Sequence, residues 1–417
     1  MPLSENASII WAVAALATCG VILRPWRIPE FVWAMGGALL LVGLGLITPR
    51  NALLAVAEGG DVYLFLVGMM VLAELARQEG LFDWLARYAV RHARGSGQRL
   101  FDLVFLVGTL VTVFLSNDAT AVVLTPAVYA ACKAAKAEPL PYLFICAFTA
   151  NAASFVLPIS NPANLVVFGS QMPPLQDWLR QFSLPSLAAI VLTYLVLRLA
   201  QRRQIRRPLT MNVDTQPLSP GARLCALGIG LTATLLLGAS ALDWALGPPT
   251  FCAGVATTAL IHLRQRRSPM RVLRHVAWGV LPLVAGLFIL VEAVTQTGLI
   301  VRLAQALAIL AAESPIGASW MGGVGVAIAS NLMNNLPAGL IAGSMNSLVT
   351  LPQQATAALL IGVDLGPNLS ITGSLATLLW LVAIRREGEH VSAWSFLRLG
   401  LLVMPPALAA ALLALCV

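Results

Sequence analysis

Residues 360–380 read LIGVDLGPNLSITGSLATLLW. Four apolar residues lead into Asp364, a Gly-Pro pair and a run of Asn, Ser, Thr and Gly, before the chain turns apolar again from Leu375. Taken with its flanks, the segment from 353 to 384 is long enough to cross a bilayer, whose hydrocarbon core needs roughly 20 apolar residues. Proline removes a helical donor and glycine loosens the turn, so this crossing breaks halfway. Backbone amides and carbonyls freed at membrane depth are tolerable only around a protein-lined polar cavity. The stretch therefore predicts a discontinuous membrane helix with a binding pocket at its break.

The rest of the chain fits that environment. Of 417 residues, 59% are hydrophobic and only 11% charged, a balance foreign to a soluble globular domain. The apolar runs are too long and continuous for the alternating pattern of barrel strands, so the spans are helices. The pattern predicts an all-α polytopic membrane protein with ten crossings, near 7–23, 31–48, 60–78, 140–168, 184–200, 222–240, 246–263, 277–296, 353–384 and 392–414. Two further segments, about 100–133 and 316–349, read as re-entrant hairpins. The first span lacks a basic leader and a cleavage pattern, and is read as retained. The net charge of +8 sits between spans, where cytoplasmic loops collect Lys and Arg. It argues for no nucleic-acid partner. Placing both termini outside leaves only Arg50, Arg180 and Arg302 on that face, which orients the chain in a bacterial inner membrane with periplasmic termini.

Sliding the sequence on itself by 218 residues superposes Gly68 on Gly286, Leu72 on Leu290, Glu74 on Glu292, Gly80 on Gly298, Leu85 on Leu303 and Ala86 on Ala304. With one residue of slippage Asn117-Asp118 falls on Asn334-Asn335, and with four more Ser160–Leu165 falls on Gly373–Leu378. An internal repeat of this kind governs the whole fold. Residues 1–200 form one repeat, the basic tract 201–221 a cytoplasmic linker, and residues 222–417 the second. Five crossings per half is an odd number, so the halves face opposite ways. The arginines of 81–94 thin to Arg302 alone in 299–312, as inversion requires. Such inverted repeats place their site near the midplane, where broken helices meet.

Four polar islands interrupt the apolar pattern: Ser116–Asp118, Pro158–Asn164, Asn331–Pro337 and Asp364–Ser374. Asn, Ser and Thr supply both donors and acceptors. Substrate-binding candidates are Asn117, Asn151, Asn161, Asn334, Asn335, Thr372 and Ser374. A carboxylate at membrane depth costs about 2.5 kcal/mol or more, and burial disfavours its charged form. That makes Asp118 and Asp364 the proton-coupling candidates. Glu74 and Glu292 stand towards helix ends, where a scaffold role is at least as natural. No Lys or Arg lies in any island, which disfavours a doubly anionic substrate without co-bound sodium. The four histidines (His92, His262, His275, His390) fall in cytoplasmic loops on this topology, and the six cysteines are scattered like small core residues. No catalytic motif, cofactor site or metal-ligand spacing is visible, so the chain reads as a transporter and not an enzyme.

Residues 65–80 (FLVGMMVLAELARQEG), 115–126 (LSNDATAVVLTP), 331–338 (NLMNNLPA) and above all 360–380 resemble the arsenite permeases of the ion transporter superfamily. The resemblance covers nearly the whole chain, and DLGP followed by GSLATLLW is its most specific part. It implies extrusion of arsenite and antimonite driven by protons, with an optional cytosolic ATPase subunit as partner; a homodimer is also left open. Asn151 and Asn368 depart from charged residues expected in some relatives. A sodium/proton antiporter, a sodium-coupled anion carrier and a passive metalloid channel remain as alternatives.

Overall fold

The computed structural model describes residues 5–207, 209–210 and 217–416. The N-terminal four residues and part of the expected linker (208 and 211–216) lie outside the described residues.

Helices follow one another almost without loops. The first half holds α1 (Glu5–Leu23), α2 (Glu30–Gly43), α3 (Pro49–Glu58), α4 (Gly60–Gln78), α5 (Leu81–His92), α6 (Gly97–Phe114), α7 (Asn117–Ala119), α8 (Thr125–Ala134), α9 (Leu140–Ala152), α10 (Pro162–Phe168) and α11 (Leu175–Ala200). The second holds α12 (Pro220–Ala241), α13 (Gly247–Gln265), α14 (Met270–His275), α15 (Val280–Gln296), α16 (Leu299–Glu313), α17 (Pro315–Met333), α18 (Asn335–Leu348), α19 (Gln353–Leu365), α20 (Leu375–Arg386) and α21 (Ala393–Leu415). Between α7 and α8 the hairpin passes through a π-helical turn, Thr120–Leu124. The two halves thus repeat one order of helices, α1 matching α12 and α11 matching α21.

Packing follows the repeat in a crossed manner. α4 packs on α13 of the other half, and its counterpart α15 packs on α2. α10 lies on hairpin helix α18, while α20 lies on the π turn and α8 of the first hairpin. α11 packs along α21, its own counterpart. Each half-helix after a break is therefore seated on the hairpin of the opposite repeat, which draws both breaks into one region.

Two repeated glycine pairs show why these positions recur. Gly80 and Gly298 sit at φ +74 and φ +78, ahead of α5 and α16, in a left-handed conformation that a side chain resists. Gly68 and Gly286 are close approaches: a Cβ on Gly68 would lie 2.4 Å from the Thr250 carbonyl, and one on Gly286 would lie 2.7 Å from the Ala34 backbone. Gly68→Ala or Gly286→Ala forces the paired helices apart, at about 1–3 kcal/mol. Thermal unfolding of the purified protein in detergent should show a lower midpoint for each; an unchanged midpoint would mean that the helices yield freely.

Among the described residues six helices are long and apolar enough to cross a membrane, and two bent pairs, α3 with α4 and α15 with α16, pass the same test together. Two of the six, α6 and α17, are the first arms of the expected hairpins, so those arms are as long as spans. α2 ends at Gly43 and not near residue 48, because the chain turns there into the unexpected short helix α3. α11 shows the lipid-facing pattern, with Leu184, Leu187, Leu195 and Leu199 exposed and Phe182, Ala189 and Leu197 buried. Of the linker, Leu209 and Thr210 donate their backbone amides to the Gly95 and Ala135 carbonyls, at 2.9 and 3.0 Å.

Candidate functional site

Both expected breaks are present. The first runs from Ala153 to Asn161 between α9 and α10, the second from Gly366 to Ser374 between α19 and α20. Each half-helix restarts on a polar cap: the Asn161 side chain accepts from the Ala163 amide at 3.0 Å, and Ser374 from the Thr377 amide at 3.0 Å. Hairpin helices α7 and α18 start in the same way on Ser116 and Asn334. The islands are composed of cap residues because a helix beginning inside a membrane has no water for its first amides.

The crossed packing brings the two breaks into contact. Asn161 Nδ2 donates to Asp364 Oδ1 at 2.7 Å. Asn151 Nδ2 donates to Asn368 Oδ1 at 3.0 Å and to Thr377 Oγ at 3.3 Å, and Asn368 Nδ2 donates to the Phe148 carbonyl at 3.1 Å. Thr377 and Ser374 share a hydroxyl bond at 2.8 Å. By the 213-residue offset Asn151 corresponds to Asp364 and Asn161 to Ser374, so each upstream helix reaches across to the opposite break.

Three acceptors are left over. Asp364 Oδ2, Asn151 Oδ1 and Asn164 Oδ1 are buried without a hydrogen-bond partner. The amide orientations behind this follow from the donors: Asn164 Nδ2 faces three carbonyls, those of Ser154 (2.9 Å), Leu157 (3.2 Å) and Pro158 (3.2 Å), and Asn151 Nδ2 faces an amide oxygen. A buried polar atom without a partner is expensive, and in native proteins it points to a proton, an ion or a ligand. Among the described residues no Lys or Arg is buried, so nothing cationic balances these oxygens. The site asks for hydrogen-bond donors.

The remaining predicted residues stand apart from this contact. Asn334, at φ +78, donates to the Thr372 carbonyl at 3.2 Å, and the Thr372 hydroxyl donates to the Asn331 carbonyl at 3.2 Å. Asn117 and Asn335 are buried and Asp118 is half-buried; Asn117 Oδ1 accepts from the Asp118 backbone amide at 2.9 Å, and no side-chain hydrogen bond joins these three to Asn151, Asn161, Asn334, Asp364, Thr372 or Ser374. The site list drawn from sequence leaves out Asn164, Asn331, Asn368 and Thr377. Asn331 holds hairpin and break together, donating to the Ala327 and Gly366 carbonyls at 2.7 and 2.9 Å and accepting from Ser370 at 2.6 Å. The 213-residue offset was the available signal, since it pairs Asn164 with Thr377.

Outside the breaks, Glu74 is clamped by Arg77 and Gln78 at 2.6–2.7 Å, and Glu292 accepts from Gln296 at 2.8 Å. His262 is not in a loop: it lies in α13, within the crossing expected at 246–263, buried, with Nδ1 2.9 Å from the Thr258 carbonyl one turn earlier. Cys132, Cys146 and Cys225 are buried as expected of core residues, whereas Cys19 and Cys252 face outward. A cavity of about 700 Å³ is lined by Glu58, Asp61, Asp243 and Glu292, with Leu165 and Val166 of α10 and Leu340 of α18 also in its wall. None of the predicted site residues lines it.

The citrate transporter family, CitMHS, matches residues 11–362. The chain belongs to this family. It is 28% identical over 417 residues to an arsenical pump membrane protein of Escherichia coli K12, covering 97% of each chain. A protein of the same description from Yersinia enterocolitica is 28% identical over 362 residues, 84% of each. An uncharacterized transporter of Mycobacterium tuberculosis is 26% identical over 418 residues, 96% of each. Among solved structures, the YdaH transporter of Alcanivorax borkumensis superposes with a TM-score of 0.58 at 18% identity over 88% of this chain and 86% of that one. MtrF of Neisseria gonorrhoeae gives 0.52 at 12% identity, over 100% and 95%. The fold of this CitMHS member is thus a transporter fold.

Proposed function

We propose that this protein extrudes arsenite and antimonite from the cytoplasm by proton-coupled alternating access. The observation that carries the reading is that three acceptor oxygens flanking the two breaks are buried and unpartnered, with no buried Lys or Arg among the described residues. A tricarboxylate, as the family's description would suggest, brings negative charge and acceptors to a place that already has too many. Arsenous acid is uncharged at neutral pH and carries three hydroxyl donors, which is what these oxygens lack. The arsenical pumps among its relatives agree in substrate class.

In this reading residues 1–200 and 222–417 are inverted repeats joined by a cytoplasmic linker, both termini are periplasmic, and the membrane is the bacterial inner membrane. The solute sits between the hairpin tips and the two breaks, near Asn117, Asn151, Asn334, Asn335, Thr372 and Ser374. Asp364 carries the proton, and Asp118 stands at the tip of the first hairpin beside the path. The acidic cavity at Glu58, Asp61, Asp243 and Glu292 opens on the side that the arginines assign to the periplasm, and it concentrates cations there.

Everted membrane vesicles test this directly. Arsenite should accumulate on acidification of the lumen, collapse with a protonophore, and be indifferent to sodium. Sodium-dependent uptake would replace the proposal with a sodium-coupled carrier, and downhill flux insensitive to the protonophore would replace it with a channel.

A further inference from the structure

We propose that Asn161 is a positioning residue that transmits the protonation state of Asp364 to the N-terminus of α10; the inference rests on the proton-carrying role proposed above. Both ends of its amide are committed. Nδ2 donates to Asp364 Oδ1 at 2.7 Å, across the repeat boundary, and Oδ1 caps α10 through the Ala163 amide at 3.0 Å. Asn161 is 2% exposed and Asp364 is fully buried, so both bonds are shielded from bulk water. The opposite Asp364 oxygen, Oδ2, is unpartnered. One short side chain therefore joins the sole carboxyl of the two breaks to the first turn of a half-helix of seven residues.

The bond responds to charge. A carboxylate accepts from the amide strongly, whereas a protonated carboxyl accepts more weakly. When the proton arrives, the amide is held less firmly from the Asp364 side, and the cap and α10 with it are freer to shift against α18. α10 packs on the hairpin of the opposite repeat, so its displacement changes the seat of that hairpin. The second repeat has no such device, because Ser374, the counterpart of Asn161, caps α20 while its hydroxyl bonds Thr377 of the same helix.

Nothing else titratable competes at this level. α10, α17 and α18, all packed on α19, carry no titratable side chain. α9 contributes Tyr142 and Cys146, and α21 contributes Arg398, which is exposed, with Cys416 just past its end. α11 contributes Tyr194 and two ion-paired arginines, Arg180 beside Asp177 and Arg198 beside Asp102.

The test measures the pH midpoint of proton-driven arsenite uptake into everted vesicles, and the ratio of uphill uptake to arsenite exchange, for Asn161→Ser and Asn161→Asp. Both variants keep an oxygen that can cap α10. Serine is too short to reach Asp364, and aspartate sets a second carboxyl beside it. Either change removes the bond that favours the charged carboxyl, so the midpoint should rise by about one pH unit and the ratio should fall about tenfold. A parental midpoint in whichever variant is produced, or a parallel fall of both fluxes at constant ratio, would overturn the proposal; the parallel fall would make Asn161 a ligand of the solute. Asp364→Asn run alongside separates the two readings. Protonophore-sensitive accumulation in that variant removes Asp364 from proton coupling altogether, whereas its loss together with an unmoved Asn161→Ser midpoint condemns the positioning role alone.

Discussion

Asp364→Asn should abolish uphill arsenite accumulation, with at least a tenfold loss, while leaving a folded protein. The expectation follows from geometry. Asparagine has the shape of aspartate, and its carbonyl oxygen can still accept from Asn161 Nδ2, so the contact between the two breaks survives. What disappears is the ability to take and release a proton. A fully buried carboxyl with one oxygen unpartnered has no inexpensive charged state: holding an ion at membrane depth costs about 2.5 kcal/mol or more, and no buried Lys or Arg offsets it. A proton or a hydroxyl of the solute on Oδ2 removes that cost, and the two cannot occupy it together. Under the proposed function, that mutual exclusion would couple the proton to the solute. Asp118→Asn should slow transport without uncoupling it, because Asp118 is half-buried and its carboxyl makes no hydrogen bond among the described residues. Everted vesicles with an imposed pH gradient measure the first effect, and counterflow of labelled arsenite measures the second. An Asp364→Asn protein that accumulates arsenite as the parent does would remove the carboxyl from the mechanism.

Much of this arrangement is legible in the residues. Gly and Pro at 158–164 and 364–374 mark both breaks, since the bilayer leaves a chain no other reason to interrupt an apolar helix with capping residues. The repeat is legible because Gly68 and Gly286 each lie against a neighbouring backbone, where a Cβ has no room, and Gly80 and Gly298 each take a left-handed turn that favours glycine, so the letters recur. Partnership across the halves is another matter. That Asn161 meets Asp364, or Asn151 meets Asn368, depends on how two repeats interlock, and no local pattern encodes a contact between residues more than 200 positions apart. The same limit explains Asn331 and Asn164. Both stand in islands visible from sequence, yet their work is to bind backbone carbonyls, and a carbonyl left bare by a break has no letter of its own. His262 shows the converse error: a polar residue close to an arginine cluster reads as loop, although it stands inside the apolar run 246–263, and α13 carries it, buried, with Nδ1 against the Thr258 carbonyl.

Asn164→Leu should lower the melting midpoint of the detergent-solubilised protein by about 5 °C or more, and Asn164→Asp should prevent accumulation of folded protein. The first break leaves the carbonyls of Ser154, Leu157 and Pro158 turned inward, and a single amide nitrogen, Asn164 Nδ2, faces all three at 2.9–3.2 Å. Leucine fills a similar volume but donates nothing, so at least one or two buried carbonyls lose their partner, at about 1–3 kcal/mol each. Aspartate is worse, since it aims a charge at three carbonyl dipoles in a region without cations. The effect belongs to the first repeat alone. Thr377, the counterpart of Asn164, bonds Ser374 and Asn151 and supports no bare carbonyl, while the second break is held by Asn331 through Gly366 and Ser370. Thr377→Val should therefore cost less stability than Asn164→Leu, and Asn331→Leu about as much. The two breaks are closed by unrelated residues, so one can loosen without the other. An Asn164→Leu protein that melts within about 1 °C of the parent would show that the inward carbonyls find other donors and that the first break does not depend on this side chain.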